Sequence, residues 1–230
     1  MKFKINYFKI IGLLLMPLIY GCSTGTIDPD EIDERKIYFP DDEGLFRIYE
    51  IQQIDYKANG ERDTSRYRLK EKVSQRTSAQ ETFQVLERYR FQNNDWALDS
   101  IWNIFYNPTN VVLYQNNIPL VKIATPVNKQ TSWDRNSYNS RDEMISNYID
   151  IKSDTVIAQN NYSQVAIVEL ENITDPIIGN NVSYEVYSPG IGLVSKYVEN
   201  IDYKQGVDLG KQIISQGVIY KQVLVISDYE

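Results

Sequence analysis

The chain has 230 residues, a formal net charge of −7, one cysteine and no histidine. Without histidine there is no Ser-His-Asp or Cys-His triad and no histidine zinc site, and a lone cysteine closes no intramolecular disulfide. The acidic balance, without a basic run, argues against nucleic acid as a partner, because that needs a cationic footprint.

Lys2, Lys4 and Lys9 make a positive start, and Ile10 to Tyr20 follow without a charge. The apolar run is short of the roughly 20 residues that span a bilayer and fits the hydrophobic part of a signal peptide. It ends in Leu18-Ile19-Tyr20-Gly21-Cys22. This stretch resembles the processing box of bacterial lipoproteins with a type II signal peptide. The resemblance implies cleavage before Cys22, acylation of its thiol and often of its new amine, and hence a membrane partner. Two or three acyl chains anchor stably where one does not. The expected organisation is a signal peptide over 1–21, an acidic tether over 22–36 and one β domain over 37–230. The tether spans about 20 Å as a flexible coil. Its Asp28, Asp30 and Asp33 lack the glycine turn and distal Glu of a calcium loop, so no metal is expected. No cofactor is expected either.

From Ile37 the pattern has period two. Leu45 to Tyr56 reads as a strand with a phase change near Gln52-Gln53, suggesting a bulge, and Ala58-Asn59-Gly60-Glu61 as a hairpin turn. Tyr67, Leu69 and Val73 share one face of the next strand, with Glu71 the exception. Arg66, Arg68, Lys70 and Lys72 form the other, a solvated face that would pair with acidic neighbours. Phe83, Val85, Tyr89 and Phe91 alternate with Thr82, Gln84, Arg88 and Arg90, before a turn at Asn93-Asn94-Asp95. Trp96 to Tyr106 is aromatic-rich. Val111 to Gln115 and Ile118 to Ala124 pair around Asn116-Asn117.

Pro126 to Asp142 is the widest gap, polar yet carrying Trp133 and Tyr138; such loops tend to be functional or mobile. Met144 to Lys152 and Tyr162 to Asn172 read as strands, while Val182 to Tyr187 is ambiguous. Pro189-Gly190-Ile191-Gly192-Leu193-Val194 lacks the further glycine, lysine and helix of a phosphate cradle. It fits a tight corner feeding the strand Leu193 to Tyr203, and Val218 to Ile226 is the last strand. Tyr184 through Val194 resembles a recurring element of uncharacterised Bacteroidota lipoproteins, with Phe39-Pro40 to Tyr49 and Tyr67 to Glu71 similar to their first two strands. The resemblance carries no activity.

The expected fold is mainly β: one antiparallel meander of nine to ten strands, curled into a half-barrel or barrel, with a two-sheet sandwich as the alternative. The expected role is a non-catalytic binding or assembly module in the cell envelope, anchored most simply at the outer membrane facing the periplasm, with surface display as the alternative. Its partner would be an envelope protein or glycan, met by Trp96, Trp102, Trp133 and Tyr138, since aromatic rings with polar tips suit interfaces. An apolar concave sheet carrying lipid or a lipidated ligand is the second expectation. A carboxylate-pair glycosidase is the third. Asp99-Ser100-Ile101 and Asp154-Thr155-Val156 resemble a short Bacteroidota O-glycosylation motif.

Overall fold

The computed structural model describes residues 33–77 and 82–230; Cys22, its processing box, Asp28 and Asp30 lie outside them. The described chain begins with a short helix, α1 (Glu34–Tyr38). The strands are β1 (Leu45–Tyr56), β2 (Arg62–Thr77), β3 (Thr82–Gln92), β4 (Asp95–Asn107), β5 (Asn110–Gln115) and β6 (Ile118–Ala124). They continue with β7 (Ser132–Asp134), β8 (Ile145–Ile157), β9 (Asn160–Asp175), β10 (Gly179–Ser188), β11 (Gly192–Tyr203) and β12 (Ile214–Tyr229).

These twelve strands form one sheet in the order β6-β5-β4-β3-β2-β1-β12-β11-β10-β9-β8-β7. β1 pairs antiparallel with β12, from Leu45 opposite Tyr229 to Tyr56 opposite Gly217. The first and last strands therefore meet mid-sheet, and the sheet's two edges are β6 and β7, consecutive in the chain. The edges come together where Val121 N–H donates to the Arg135 carbonyl (2.9 Å), Trp133 Nε1–H to the Val121 carbonyl (3.3 Å) and Asn139 Nδ2–H to the Pro119 carbonyl (2.8 Å). The result is one curled sheet nearly closed into a barrel, not a two-sheet sandwich. Near-closure covers edge strands that would otherwise offer unpaired backbone groups.

The strands number twelve instead of nine or ten for local reasons. β7 is a three-residue strand inside the polar 126–142 gap, too short for a periodic signal. The ambiguous Val182 to Tyr187 is the centre of β10. β8 runs on to Ile157, because the chain turns at Ala158 and Gln159, both at positive φ. Around Asn93-Asn94 and Asn116-Asn117 the turns fall where expected, again at positive φ, which asparagine tolerates better than most residues.

The bulge expected at Gln52-Gln53 is elsewhere. The β1–β12 register shifts between Ile48 and Tyr49, which leaves Val225 of β12 as the extra residue. Leu45, Arg47, Tyr49 and Ile51 stay in phase and buried. Gln53 and Asp55 continue that face and hydrogen-bond each other, so Ile54 and Tyr56 lie on the other face without any phase change.

The helix and its N-cap take in Asp33 to Lys36, residues of the expected tether. Asp33 caps α1 by accepting from Arg35 N–H (3.1 Å), and Glu34 accepts from Val127 N–H (2.8 Å). Tyr38 is buried, its hydroxyl donating to the Gln164 carbonyl (2.9 Å). Two apolar clusters hold the body together. One gathers Tyr38, Phe39, Leu45, Val73, Leu86, Ile104, Leu113 and Tyr187. The other gathers Tyr49, Ile51, Leu69, Tyr162, Val165 and Leu224. Each fully buried aliphatic or aromatic side chain contributes about 1.5–3 kcal/mol. The residues lining the cavity described next come partly from both clusters.

Candidate functional site

Strand alternation turns several charged residues inward. Arg47 of β1, Glu71 of β2, Arg88 of β3, Lys122 of β6, Glu185 of β10, Lys196 of β11 and Gln222 of β12 line a cavity of about 270 Å³. Phe39, Leu86, Leu113, Tyr187 and Leu193 complete its apolar wall, with half-buried Tyr67, Trp102, Gln115 and Tyr220 around them.

Glu185 is wholly buried. Its carboxylate meets Lys122 Nζ at 2.6 Å, Arg135 Nη2 at 3.2 Å and Lys196 Nζ at 3.4 Å, and accepts from the Tyr187 hydroxyl at 2.6 Å. Each partner arrives for a local reason. Lys196 stands directly opposite Glu185 in the β10–β11 ladder. Lys122 is the extra residue of a bulge, since Val111 pairs with Ile123 and Val112 with Val121; a bulge can re-aim a side chain in this way. Arg135 follows β7 in the wide gap, its N–H tied to the Met144 carbonyl (2.8 Å).

A lone buried carboxylate would cost several kcal/mol in lost hydration. Burial pushes the Glu185 carboxyl up, but Arg135, Lys122 and Lys196 outweigh it and hold the group well below the usual carboxylate range. Burial, aided by the Arg135 guanidinium, pushes the Lys122 ammonium down to about 7 against the pull of Glu185. Burial, with Glu185 alongside, holds the Tyr187 phenol well above its usual range, so it stays a donor.

A second pair joins Glu71, the out-of-phase residue of β2, to Arg88 Nε at 3.1 Å. The Arg88 guanidinium also stacks on Trp102, 3.7 Å from the ring centroid, and Arg90 stacks on Tyr67 at 3.8 Å. Stacking of this kind stabilises a cation through the ring's negative face. Arg47 is buried with a single bond, from Nη1 to the Ile191 carbonyl (3.1 Å); its Nε and Nη2 find no acceptor among the described residues. Gln222 accepts from the Tyr220 hydroxyl (2.8 Å), and its Nε2 is likewise unpartnered.

The corner at Gly190-Ile191-Gly192 serves this site. Gly192 sits at φ +89°, and a Cβ there would collide with Arg47 Nη1. Gly192 thus shapes a seat for a buried guanidinium.

The aromatic residues expected to form one binding surface are dispersed. Trp96 packs edge-on against Phe91 at 5.1 Å near the β3–β4 turn. Trp102 belongs to the cavity. Trp133 is half-buried at the β6–β7 junction, its ring 4.9 Å from Tyr148. Tyr138 is exposed and accepts from Asn107 and Asn110 Nδ2. Of the two glycosylation-like motifs, Ser100 lies in β4 and Thr155 in β8, both half-buried. On the solvated face of β2, Lys70 and Lys72 pair with Glu230.

Sequence reading missed Arg47, Lys122, Arg135, Glu185 and Gln222. A signal existed for Arg47, which shares parity with Leu45, Tyr49 and Ile51. None existed for Lys122, whose inward aim depends on a bulge. Among the described residues no three His, Cys, Asp or Glu side chains gather to hold a metal ion, and no helix is long and apolar enough to cross a membrane.

No protein-family model and no curated protein sequence matches the chain. Among solved structures it is similar to a Bacteroides fragilis protein described as exported, with a YmcC-like fold, at 12% identity and TM-score 0.43, over 84% of this chain and 99% of that one. A protein described as a lipoprotein from Parabacteroides distasonis matches at 12% identity and TM-score 0.35, over 84% and 98%. A Vibrio parahaemolyticus domain described as outer membrane lipoprotein-sorting matches at 16% and TM-score 0.22, over 86% and 89%.

Proposed function

We propose that the chain is a lipid-anchored envelope protein whose β body is a non-catalytic binding module, with the interior cavity as its binding site. The anchor rests on Leu18 to Cys22. The observation that carries the binding reading is the character of the interior. Two apolar clusters fill it, and the space between them is lined with ionised groups. An acyl chain needs a dry aliphatic channel, since burying charge against hydrocarbon is costly. The wider groove mixes charged Glu50, Arg66, Arg68 and Lys221 with apolar Ile51, Phe91, Val223 and Val225 and decides nothing between lipid and polar ligand. The charged cavity favours a polar ligand over a lipid cargo.

Metabolic labelling with palmitate tests the anchor. Wild type takes up label and sediments with membranes, whereas Cys22→Ser takes up no label and is either released from membranes or left as an uncut precursor; equal labelling of the two would refute the anchor.

A further inference from the structure

We infer that the interior cavity binds a small molecule bearing an oxyanion, a carboxylate or a phosphate, and that Arg47, a lining residue whose Nε and Nη2 lack a partner, turns to grip it. The inference rests on the binding-module reading and adds the chemical class of the ligand.

Charge is the first support. Arg47, Arg88, Lys122 and Lys196 face the cavity together with Glu71 and Glu185, and Arg135 adds a fifth cation against Glu185. A chain with net charge −7 thus keeps its interior cationic. Glu71 is satisfied by Arg88, and Glu185 by three cations at once. Arg47 stands opposite Glu71 in the β1–β2 ladder but makes no ion pair with it, although a buried unpaired charge is expensive.

The free donors are the second. Nη1 of Arg47 is used by the Ile191 carbonyl, which leaves Nε and Nη2. These two nitrogens form one edge of the guanidinium, a fork whose paired N–H groups match two oxygens of a carboxylate or phosphate. Gln222 supplies a further unpartnered donor to the same cavity, Nε2. Both side chains are more than nine-tenths buried, so neither is merely waiting for bulk water. Gly192 keeps the guanidinium in position by its missing side chain.

Size and wall chemistry narrow the class. About 270 Å³ is the liquid volume of roughly nine waters and falls just below the range of drug-sized pockets. A compact anion fits within it. Trp102, Tyr67 and Tyr220 also line the cavity, so an apolar or cyclic portion of the ligand would meet aromatic carbon.

The full chain in detergent is titrated calorimetrically with benzoate and with inorganic phosphate. Saturable binding is expected for at least one, with Kd below about 1 mM. Arg47→Met weakens it about ten-fold, the effect of losing a hydrogen bond to a charged group; Arg62→Met, on an exposed part of β2, does not. Should Arg47→Met fail to fold, Lys196→Met, which leaves Glu185 with Lys122 and Arg135, still weakens binding. No saturable binding of either anion, or equal loss in Arg62→Met, overturns the inference. A neutral compound retained in the cavity without anion binding also overturns it, yet leaves the binding-module reading standing.

Discussion

Arg47 occupies the space that a side chain at position 192 would need: a Cβ on Gly192 would collide with Arg47 Nη1, and that residue's φ of +89° disfavours any L side chain. The guanidinium can move aside only by giving up its bond to the Ile191 carbonyl and shifting into the cavity it lines. Gly192→Ala is therefore expected to cost about 2–4 kcal/mol, from left-handed backbone strain plus displacement of a buried cation. Gly190→Ala, also at positive φ but facing open space, should cost about 1–2 kcal/mol from backbone strain alone. Denaturant midpoints at equal slope would measure both.

Glu185 balances three cations. Glu185→Gln leaves Lys122, Arg135 and Lys196 facing one another, and is expected to destabilise by about 3–5 kcal/mol. The acid limb should change too. The folded pKa of Glu185 is depressed, so its stabilisation is present above the unfolded value and is lost as pH falls through the folded one. Urea unfolding from pH 5 downward should show a shallower decline in the Gln variant.

Lys122 has the opposite sign of pH dependence. Its folded pKa is about 7 against an ordinary 10.5. Between those values the unfolded chain binds more protons, so stability rises with pH. From pH 7 to 9 wild type should gain on the order of 2 kcal/mol relative to Lys122→Met. A gain equal in both proteins would place the effect elsewhere.

Trp133 closes the barrel seam, through its bond to the Val121 carbonyl and its packing on Tyr148. Trp133→Ala should cost about 2–4 kcal/mol. Its specific signature is faster amide exchange at Val121, whose N–H bonds the Arg135 carbonyl across the seam. Exchange at Tyr49, far from the seam, should change only with global stability.

The sheet was legible because period-two alternation and Asn or Gly turns mark hairpins wherever one face is buried. Asn93-Asn94 and Asn116-Asn117 marked theirs directly. The parts that escaped depend on context. β7 is too short to alternate, and the β12 bulge at Val225 follows from pairing with β1, not from either sequence alone. The charged interior escaped for a related reason. Arg and Lys in a strand usually face water, so Arg88 reads as part of an outer face; stacking on Trp102 and pairing with Glu71 are what allow it inside, while Arg90, stacked on Tyr67, stays exposed. Glu71, like Arg47, carried a visible hint, a charge on an otherwise apolar face. The wide gap after Pro126 was marked as functional for its aromatics, but its contribution to the cavity is Arg135, brought there by the closure of β6 on β7.

A body whose interior holds ionised groups between two filled apolar clusters should carry no lipid. The most direct measurement is native mass spectrometry of the Cys22→Ser chain recovered under non-denaturing conditions from cells, with organic extraction of the same sample. The expected spectrum shows the polypeptide alone or with a small polar adduct, and an extract free of stoichiometric lipid. One phospholipid or fatty acid per chain, held without covalent attachment, would contradict the account.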